Sequence, residues 1–447
     1  MRSPLGSFSR QWVRPFKPPI STSPVTPASP FHPEHAAMTQ RRWAIFGISA
    51  SLFLTSLFYR ASGAVIAPDL TRDLGLDPED LGLLGAAFFY AFALVQIPLG
   101  MVLDRVGARR TMVALNVLGM AGILIFSQAH GLAMGVLGRA LLGVGMSANL
   151  MGSLLLFTRW FAPTRFATVS GLFLAIGTLG SVAATSPLAL LVEVLGWRGS
   201  FLALTLVHGI LVLGFIILVR DAPEGQATRE GISPRLDRPG PSMRPLRRLF
   251  SDRSYWAISI SIFLRYGAYA SIQALWVGPF LMKRLGLAPV LAGNLILMLS
   301  FGFILGSPLG GVLSDRLFHS RKNAIFVGSV IAAAGVLIVS TWSGPTCLPL
   351  LGALLFTIGF FAAFNQLSYA HIKELMPPEM SGTAMAGINF FTMFGGGAFM
   401  HGLGWIMNLM GEGTRGIYST AFVICGCALL ANAVLYLTTR DSIPKRG

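Results

Sequence analysis

The sequence predicts an all-α membrane protein, with twelve transmembrane helices in two pseudo-symmetric six-helix bundles. Three observations lead there. Hydrophobic residues make up 53% of the chain and charged residues 12%, against roughly 25% charged in an average soluble domain. Lipid is the solvent such a surface suits. Apolar windows recur that exceed the roughly 20 residues a helix needs to cross a bilayer. One short charged pattern, Gly100-Met101-Val102-Leu103-Asp104-Arg105-Val106-Gly107-Ala108-Arg109-Arg110, also returns half a chain later as Gly311-Val312-Leu313-Ser314-Asp315-Arg316-Leu317-Phe318-His319-Ser320-Arg321-Lys322. Each copy closes one apolar stretch and opens the next.

The spans expected in the first half lie near 44–67, 82–103, 112–129, 131–157, 166–192 and 199–219, and in the second near 255–281, 289–313, 324–342, 347–372, 383–408 and 417–438. Helices are expected because the backbone must satisfy its own hydrogen bonds in lipid, segment by segment. Residues 1–42, rich in Pro, Ser and Thr, read as a disordered cytoplasmic tail. They hold no apolar region of the kind a secretory signal needs, and Met38 stands beside Met1 as an alternative start. Residues 43–219 form the first bundle and 254–440 the second. Between them, 220–253 carries five prolines and eight arginines and reads as a cytoplasmic linker; 441–447 is a short cytoplasmic tail.

Charge placement orients the chain. Of 34 Lys and Arg, only Arg72, Arg198, Lys283, Arg284 and Arg415 fall on one set of loops, whereas 26 fall on the other set and the tails. Positive charge accumulates on cytoplasmic loops, so both termini are expected in the cytoplasm, with the chain in a bacterial inner membrane. The net charge of +16 is then a topology signal, and no polar domain interleaves basic and aromatic residues to hold nucleic acid. The sequence has no phosphate-cradling G-x-x-x-x-G-K-[ST] run and no pore filter repeat. Cys347, Cys425 and Cys427 lack metal-ligand spacing, and the histidines lack acids at mid-depth. Neither an enzyme nor a metal or other cofactor is expected.

Three charged residues fall inside spans: Arg60, Arg139 and Arg265. Each costs at least about 2.5–3.5 kcal/mol on an insertion scale unless it finds water or a partner. All 18 acidic residues fall in tails, loops or span ends, so no carboxylate neutralises these arginines at mid-depth. An anion from solution is the natural counterion, and a carboxylate matches the guanidinium fork. Arg60 and Arg265 lie on the first span of each half and are expected to bind that anion from opposite sides of a central cavity. Tyr59, Tyr90, Asn149, Gln273, Asn365, Gln366 and Asn389 are polar neighbours able to orient it, though such residues also bond helix to helix. In the turns, Asp104 with Arg105, Arg109 and Arg110, and Asp315 with Arg316 and Arg321, are expected to form charge-assisted bonds that make and break as the cytoplasmic side closes and opens.

The two turns resemble the signature loop of the major facilitator superfamily. The first copy matches through Gly100, Asp104, Arg105, Gly107, Arg109 and Arg110; the second keeps Gly311, Asp315, Arg316, Arg321 and Lys322 but has Phe318 and His319 where a glycine is commoner. Arg139-Ala140-Leu141-Leu142-Gly143-Val144-Gly145 resembles the superfamily's fourth-helix motif. Tyr59 through Arg110, with Trp160-Phe161-Ala162-Pro163-Thr164-Arg165 and Leu195-Gly196-Trp197-Arg198, is similar to the anion:cation symporter branch. The resemblance implies the major facilitator fold, with two bundles rocking around a midplane site. It implies a monomeric secondary transporter of a small organic anion such as a carboxylate or sugar acid, in which Arg139 is structural or tied to proton coupling. Proton-coupled members of that branch commonly carry a Glu soon after the paired glycines of the fourth helix. Here Gly145-Met146-Ser147-Ala148-Asn149 has none, which leaves His208 and His401 as candidate proton carriers and keeps exchange against another anion, uniport and proton symport open. Two alternatives share the fold: a nitrate or nitrite carrier, suggested by Gly395-Gly396-Gly397, and a drug or metabolite exporter, against which the missing buried acid counts.

Overall fold

All regular secondary structure in the computed structural model, which describes residues 33–222, 249–343, 347–411 and 416–441, is helical. Residues 1–32, the expected linker from 223 to 248, residues 442–447 and the side chain of Asp104 lie outside the described part. The first half contains α1 (Pro33–Ala61), α2 (Gly63–Leu74), α3 (Pro78–Val106), α4 (Ala108–Ser127), α5 (Leu132–Met146), α6 (Asn149–Trp160), α7 (Pro163–Ala183) and α8 (Ser186–Leu218). The second contains α9 (Arg253–Ser271), π-helical turns at Ile272–Trp276 and Phe280–Arg284, then α10 (Pro289–Leu313), α11 (Arg321–Ser340), α12 (Leu348–Ala362), α13 (Leu367–Leu375), α14 (Pro378–Met410) and α15 (Ile417–Tyr436). Residues from Arg41 onward make one compact unit. Within the stretch expected as a tail, helix already begins at Pro33.

Local chemistry sets the helix ends. The Asp77 carboxylate accepts from the Asp80 N–H and Pro78 opens the first turn of α3. Asp252 caps α9 through the N–H groups of Ser254 and Tyr255, and Ser320 caps α11 through that of Asn323. In the first basic turn Gly107 takes φ 91° between α3 and α4; in the second His319 takes φ 47°. The turn demands left-handed backbone whether or not glycine supplies it, and at His319 a side chain bears that cost.

Ten helical stretches among the described residues are long and apolar enough to cross a membrane, against the twelve expected. The expected spans at 255–281 and 383–408 are helical but do not qualify. The first carries Ser259, Ser261, Arg265 and Ser271 and is interrupted by the π-helical turns; the second is diluted by glycines, Asn389 and His401. The expected spans at 166–192 and 199–219 also divide elsewhere: α7 stops at Ala183, and Ser186–Leu218 runs through a kink at Gly196. Along α8, Leu206, Ile210, Leu213 and Ile217 are 58–70% exposed at helical spacing. Such a stripe is unfavourable in water and at home in lipid.

The halves touch at the end remote from the basic turns. There α2 lies against the π-helical segment of the second half so closely that a Cβ on Gly63 would sit 2.5 Å from the Ala274 carbonyl oxygen, and one on Gly278 only 1.6 Å from that of Ala64. Also at this end α3 meets α14 through Gly82 against Met400 and Gly404 against Pro78. Ser186 Oγ donates to Asn294 Oδ1 at 2.6 Å, and Asn408 Nδ2 donates to Glu79 Oε2 at 3.1 Å. Asp73 fastens α2 to α8 here, taking Trp197 Nε1 at 2.9 Å and Arg198 Nη1 at 3.0 Å. Burial pushes its carboxyl up, but the Trp197 and Arg72 hydrogen bonds and the charges of Arg72 and Arg198 hold it below the usual carboxylate range.

Candidate functional site

Arg60 lies in the last turn of α1, two residues before the break at Ser62 that separates α1 from α2. It is half-buried, and among the described residues its guanidinium makes no hydrogen bond or ion pair. Its charge is near enough to act on the phenols of Tyr269 and Tyr369 in the other half. Tyr269 is 6% exposed, stacks on Phe303 at 5.0 Å, and its hydroxyl has no partner among the described residues. The Tyr369 hydroxyl donates to Asn389 Oδ1 at 3.0 Å and lies 3.1 Å from Thr392 Oγ1.

Arg265 is held differently. It is 1% exposed inside the second half. Nε and Nη2 donate to Asn365 Oδ1 at 3.0 and 2.8 Å, and Nη2 also reaches Ser368 Oγ at 3.0 Å and the Phe364 carbonyl at 3.4 Å. Among the described residues, only Nη1 is without a partner. Neutral acceptors thus satisfy most of this cation, and Asn365 serves Arg265 rather than standing apart as a second binding group. Asn365→Ala should remove two charge-assisted bonds and destabilise the fold by about 2 kcal/mol, read as a lower Tm in detergent. An unchanged Tm would contradict this assignment.

The remaining predicted residues are scattered. Tyr59 is fully buried in the first half; its carbonyl takes Arg139 Nη1 at 2.9 Å and the Ser62 hydroxyl at 3.0 Å, beside the break between α1 and α2. Arg139 lies over the rings of Phe88 and Phe126 and borders a small cavity shared with Gly63, Leu84 and, from the second half, Leu275. Asn149 accepts from Asn116 at 2.8 Å and donates to the Leu52 carbonyl at 3.2 Å, polar glue between helices of one half. His208 is buried beside Thr55, with Nδ1 3.5 Å from its hydroxyl and Nε2 unpartnered. Tyr90 sits at the seam between the halves, 5.4 Å from the Phe394 ring and 6.5 Å from that of His401. Gln273 reaches Ser300 at 3.4 Å, and Gln366 is exposed.

At the turns, the bonds fasten each half to itself. Arg109 Nη2 donates to the Ile216 carbonyl at 2.8 Å near the end of α8, and its backbone N–H donates to Asp221 at 2.9 Å, which places a carboxylate at the start of α4. Arg321 pairs with Asp315 at 2.5 Å and with Glu374 at 3.2 Å. Arg105, Arg110 and Arg316 are exposed.

Sequence reasoning did not single out Tyr266, Tyr269 or Tyr369, three of the chain's eight tyrosines, nor Asp221 and Ser368. The spacing of Tyr266 and Tyr269, three apart on the helix of Arg265, was the available signal. Arg60 is a cation with no counterion among the described residues, a fork able to take a carboxylate, and the unpartnered Tyr269 hydroxyl is able to donate. No group of His, Cys, Asp and Glu suited to a metal occurs among the described residues.

The family profile of the Major Facilitator Superfamily matches residues 48–277 and 258–447. The chain is 26% identical over 420 residues to the probable sulfoacetate transporter SauU of Cupriavidus necator, covering 89% of this chain and 93% of that protein. It is 26% identical over 448 residues to the probable L-galactonate transporter of Escherichia coli, covering 92% and 96%. Among solved structures, a point mutant of the nucleoside transporter NupG superposes with a TM-score of 0.73 at 14% identity, over 89% of this chain and 99% of that one, a likeness of fold.

Proposed function

This chain belongs to the Major Facilitator Superfamily, and from that premise we propose that it is a secondary transporter of a small organic anion, a carboxylate or sugar acid, bound between the two halves by Arg60. The observation that carries the reading is a half-buried guanidinium that has no counterion among the described residues and lies near enough to Tyr269 and Tyr369 of the opposite half for its charge to act on them. A dianion such as sulfoacetate and a hydroxylated monoanion such as L-galactonate share the carboxylate that this fork would hold. The names of the two relatives support that class.

In this reading both less apolar helical segments, at 255–281 and 383–408, also cross the bilayer and complete six helices in each half. The basic turns face the cytoplasm, so the conformation closed at Gly278, Asn294 and Asn408 is shut toward the outside. Rocking would part those contacts and bring the turns together. Arg105, Arg110 and Arg316 are the exposed cations available for bonds across the closing cytoplasmic side, while Arg109 and Arg321 keep each turn fastened to its own bundle. Arg265 holds the second half of the site in shape, and Arg139 clamps the break beside Arg60. Tyr269 supplies a donor to the polar groups of the substrate, and Tyr369, whose O–H goes to Asn389, offers its oxygen as an acceptor for a substrate hydroxyl.

The test is counterflow in proteoliposomes loaded with L-galactonate, sulfoacetate, nitrate or phosphate. Accumulation of labelled organic anion is expected. Exchange of nitrate or phosphate alone would replace this reading with that of an inorganic-anion carrier.

A further inference from the structure

Three helix ends meet at the turn-bearing end of the first half. Trp43, near the start of α1, lies edge-on to Phe161 just past the end of α6, with ring centroids 5.6 Å apart, and Phe46 lies 5.5 Å from Phe157. A Cβ on Gly214 of α8 would come within 3.3 Å of the Ile48 side chain, so the end of α8 runs beside the start of α1. Trp160 Nε1 donates to the Arg220 carbonyl at 2.8 Å, which ties the end of α6 to the end of α8.

This corner gathers cations with little to balance them. Arg42 is half-buried; its Nε is enclosed, and its guanidinium makes no hydrogen bond or ion pair among the described residues. The Arg159 side chain is 41% exposed and stands 4.0 Å from Asp221 Oδ1. That same oxygen accepts the Arg109 N–H at 2.9 Å. Arg165 is exposed in the first turn of α7, and Arg41 and Arg220 lie near enough for their charges to repel. Beside these cations Trp43 is 44% exposed. An open indole where an apolar helix emerges from the bilayer belongs to the lipid interface, and arginine stems follow apolar surface while their heads reach the polar boundary.

A soluble anion would answer the charge and leave the indole bare. A phospholipid answers both, with phosphate for the guanidinium forks and acyl chain for the ring. A zwitterionic headgroup would bring a further cation into a corner that is already cationic, so a net negative headgroup fits better. We propose that Arg42, Trp43 and Arg159 form a binding site for an anionic phospholipid of the cytoplasmic leaflet, its phosphate between the two guanidiniums and an acyl chain against Trp43. The lipid supplies the negative charge that α1 and α6 lack and fastens the two helices together. The site is separate from the cargo: Arg60 lies 18 residues farther along α1, about 27 Å at the helical rise.

The full-length protein, stripped of lipid in detergent, tests this with dioleoyl phosphatidylglycerol and dioleoyl phosphatidylcholine added in mixed micelles. Native mass spectrometry should show phosphatidylglycerol held at least about tenfold more tightly, with a preference that shrinks as salt is raised. The double variant Arg42→Gln, Arg159→Gln should lose most of that preference. Arg253→Gln, at an exposed position at the start of α9 in the other half, should keep it. Bromine-labelled phosphatidylglycerol should also quench tryptophan fluorescence more than the labelled phosphatidylcholine, a difference that Trp43→Phe should abolish whether or not the arginine variants fold. Equal retention of the two lipids by wild type, a preference untouched in the double variant or lost equally in Arg253→Gln, or a quenching difference that survives Trp43→Phe overturns the proposal. Displacement of the lipid by an equal concentration of glycerol 3-phosphate, which has the phosphate without the acyl chains, would make this a site for a soluble anion and overturn it as well.

Discussion

Arg60→Ala is expected to abolish counterflow and weaken anion binding by at least about 100-fold. Two charge-assisted hydrogen bonds to a carboxylate are worth about 1.5–3 kcal/mol each, and about 1.4 kcal/mol is a factor of ten in affinity. Arg60→Lys keeps the charge but loses the planar fork, so it should retain weak binding. The same guanidinium makes no bond within the described part of the protein, so neither variant should lower Tm. That separates Arg60 from Arg265, whose partners Asn365 and Ser368 are buried with it and whose loss should be felt first as instability. A large drop in Tm with Arg60→Ala, or undiminished binding, would assign Arg60 a structural role.

Gly278→Val should trap the other conformation. Its Cβ would fall 1.6 Å from the Ala64 carbonyl oxygen, a backbone atom that cannot swing aside. The clash exists only while α2 and the π-helical segment are in contact. Overpacking of this kind costs about 1–3 kcal/mol or more, enough to move a two-state population by about ten- to a hundredfold. Spin labels across the two ends should therefore report a longer distance at the Gly278 end and a shorter one between the basic turns, with transport lost and helical content retained. Distances equal to those of the wild type would show that these halves do not separate at Gly278.

Much of this architecture was legible in the sequence because membrane proteins write it in one-dimensional signals. Apolar length marks spans, and the repeated turns at Asp104 and Asp315 mark the duplication. The count of crossing helices was less secure for a physical reason: helices that line a polar site lose apolar residues, as α9 does with Ser259, Ser261 and Arg265. The left-handed His319 shows the opposite case, where the turn's geometry persists although its residue signal is gone.

In the site, the lack of an acidic partner for Arg60, on which the proposal for Arg60 rests, was legible by elimination. The partnership of Arg265 with Asn365 was not, because it joins residues 100 apart. The fastening of Arg109 by Asp221 spans 112 residues and was equally hidden. Tyrosines in an apolar helix read as packing until the fold decides which face meets the other half. Tyr269 and Tyr369 emerged only because the fold brings α9 and α13 near enough to Arg60 for its charge to act on them. Tyr59, adjacent to Arg60 in sequence, is turned into the first bundle instead.

The central claim is that this carrier recognises its cargo by negative charge, and equilibrium binding of L-galactonate against galactitol, the neutral polyol of the same carbon chain, tests it most directly. Wild-type protein should bind the acid at least about 100-fold more tightly than the polyol, and Arg60→Ala should erase that difference. Equal binding of acid and polyol by the wild type, or a preference that survives in Arg60→Ala, would contradict the account.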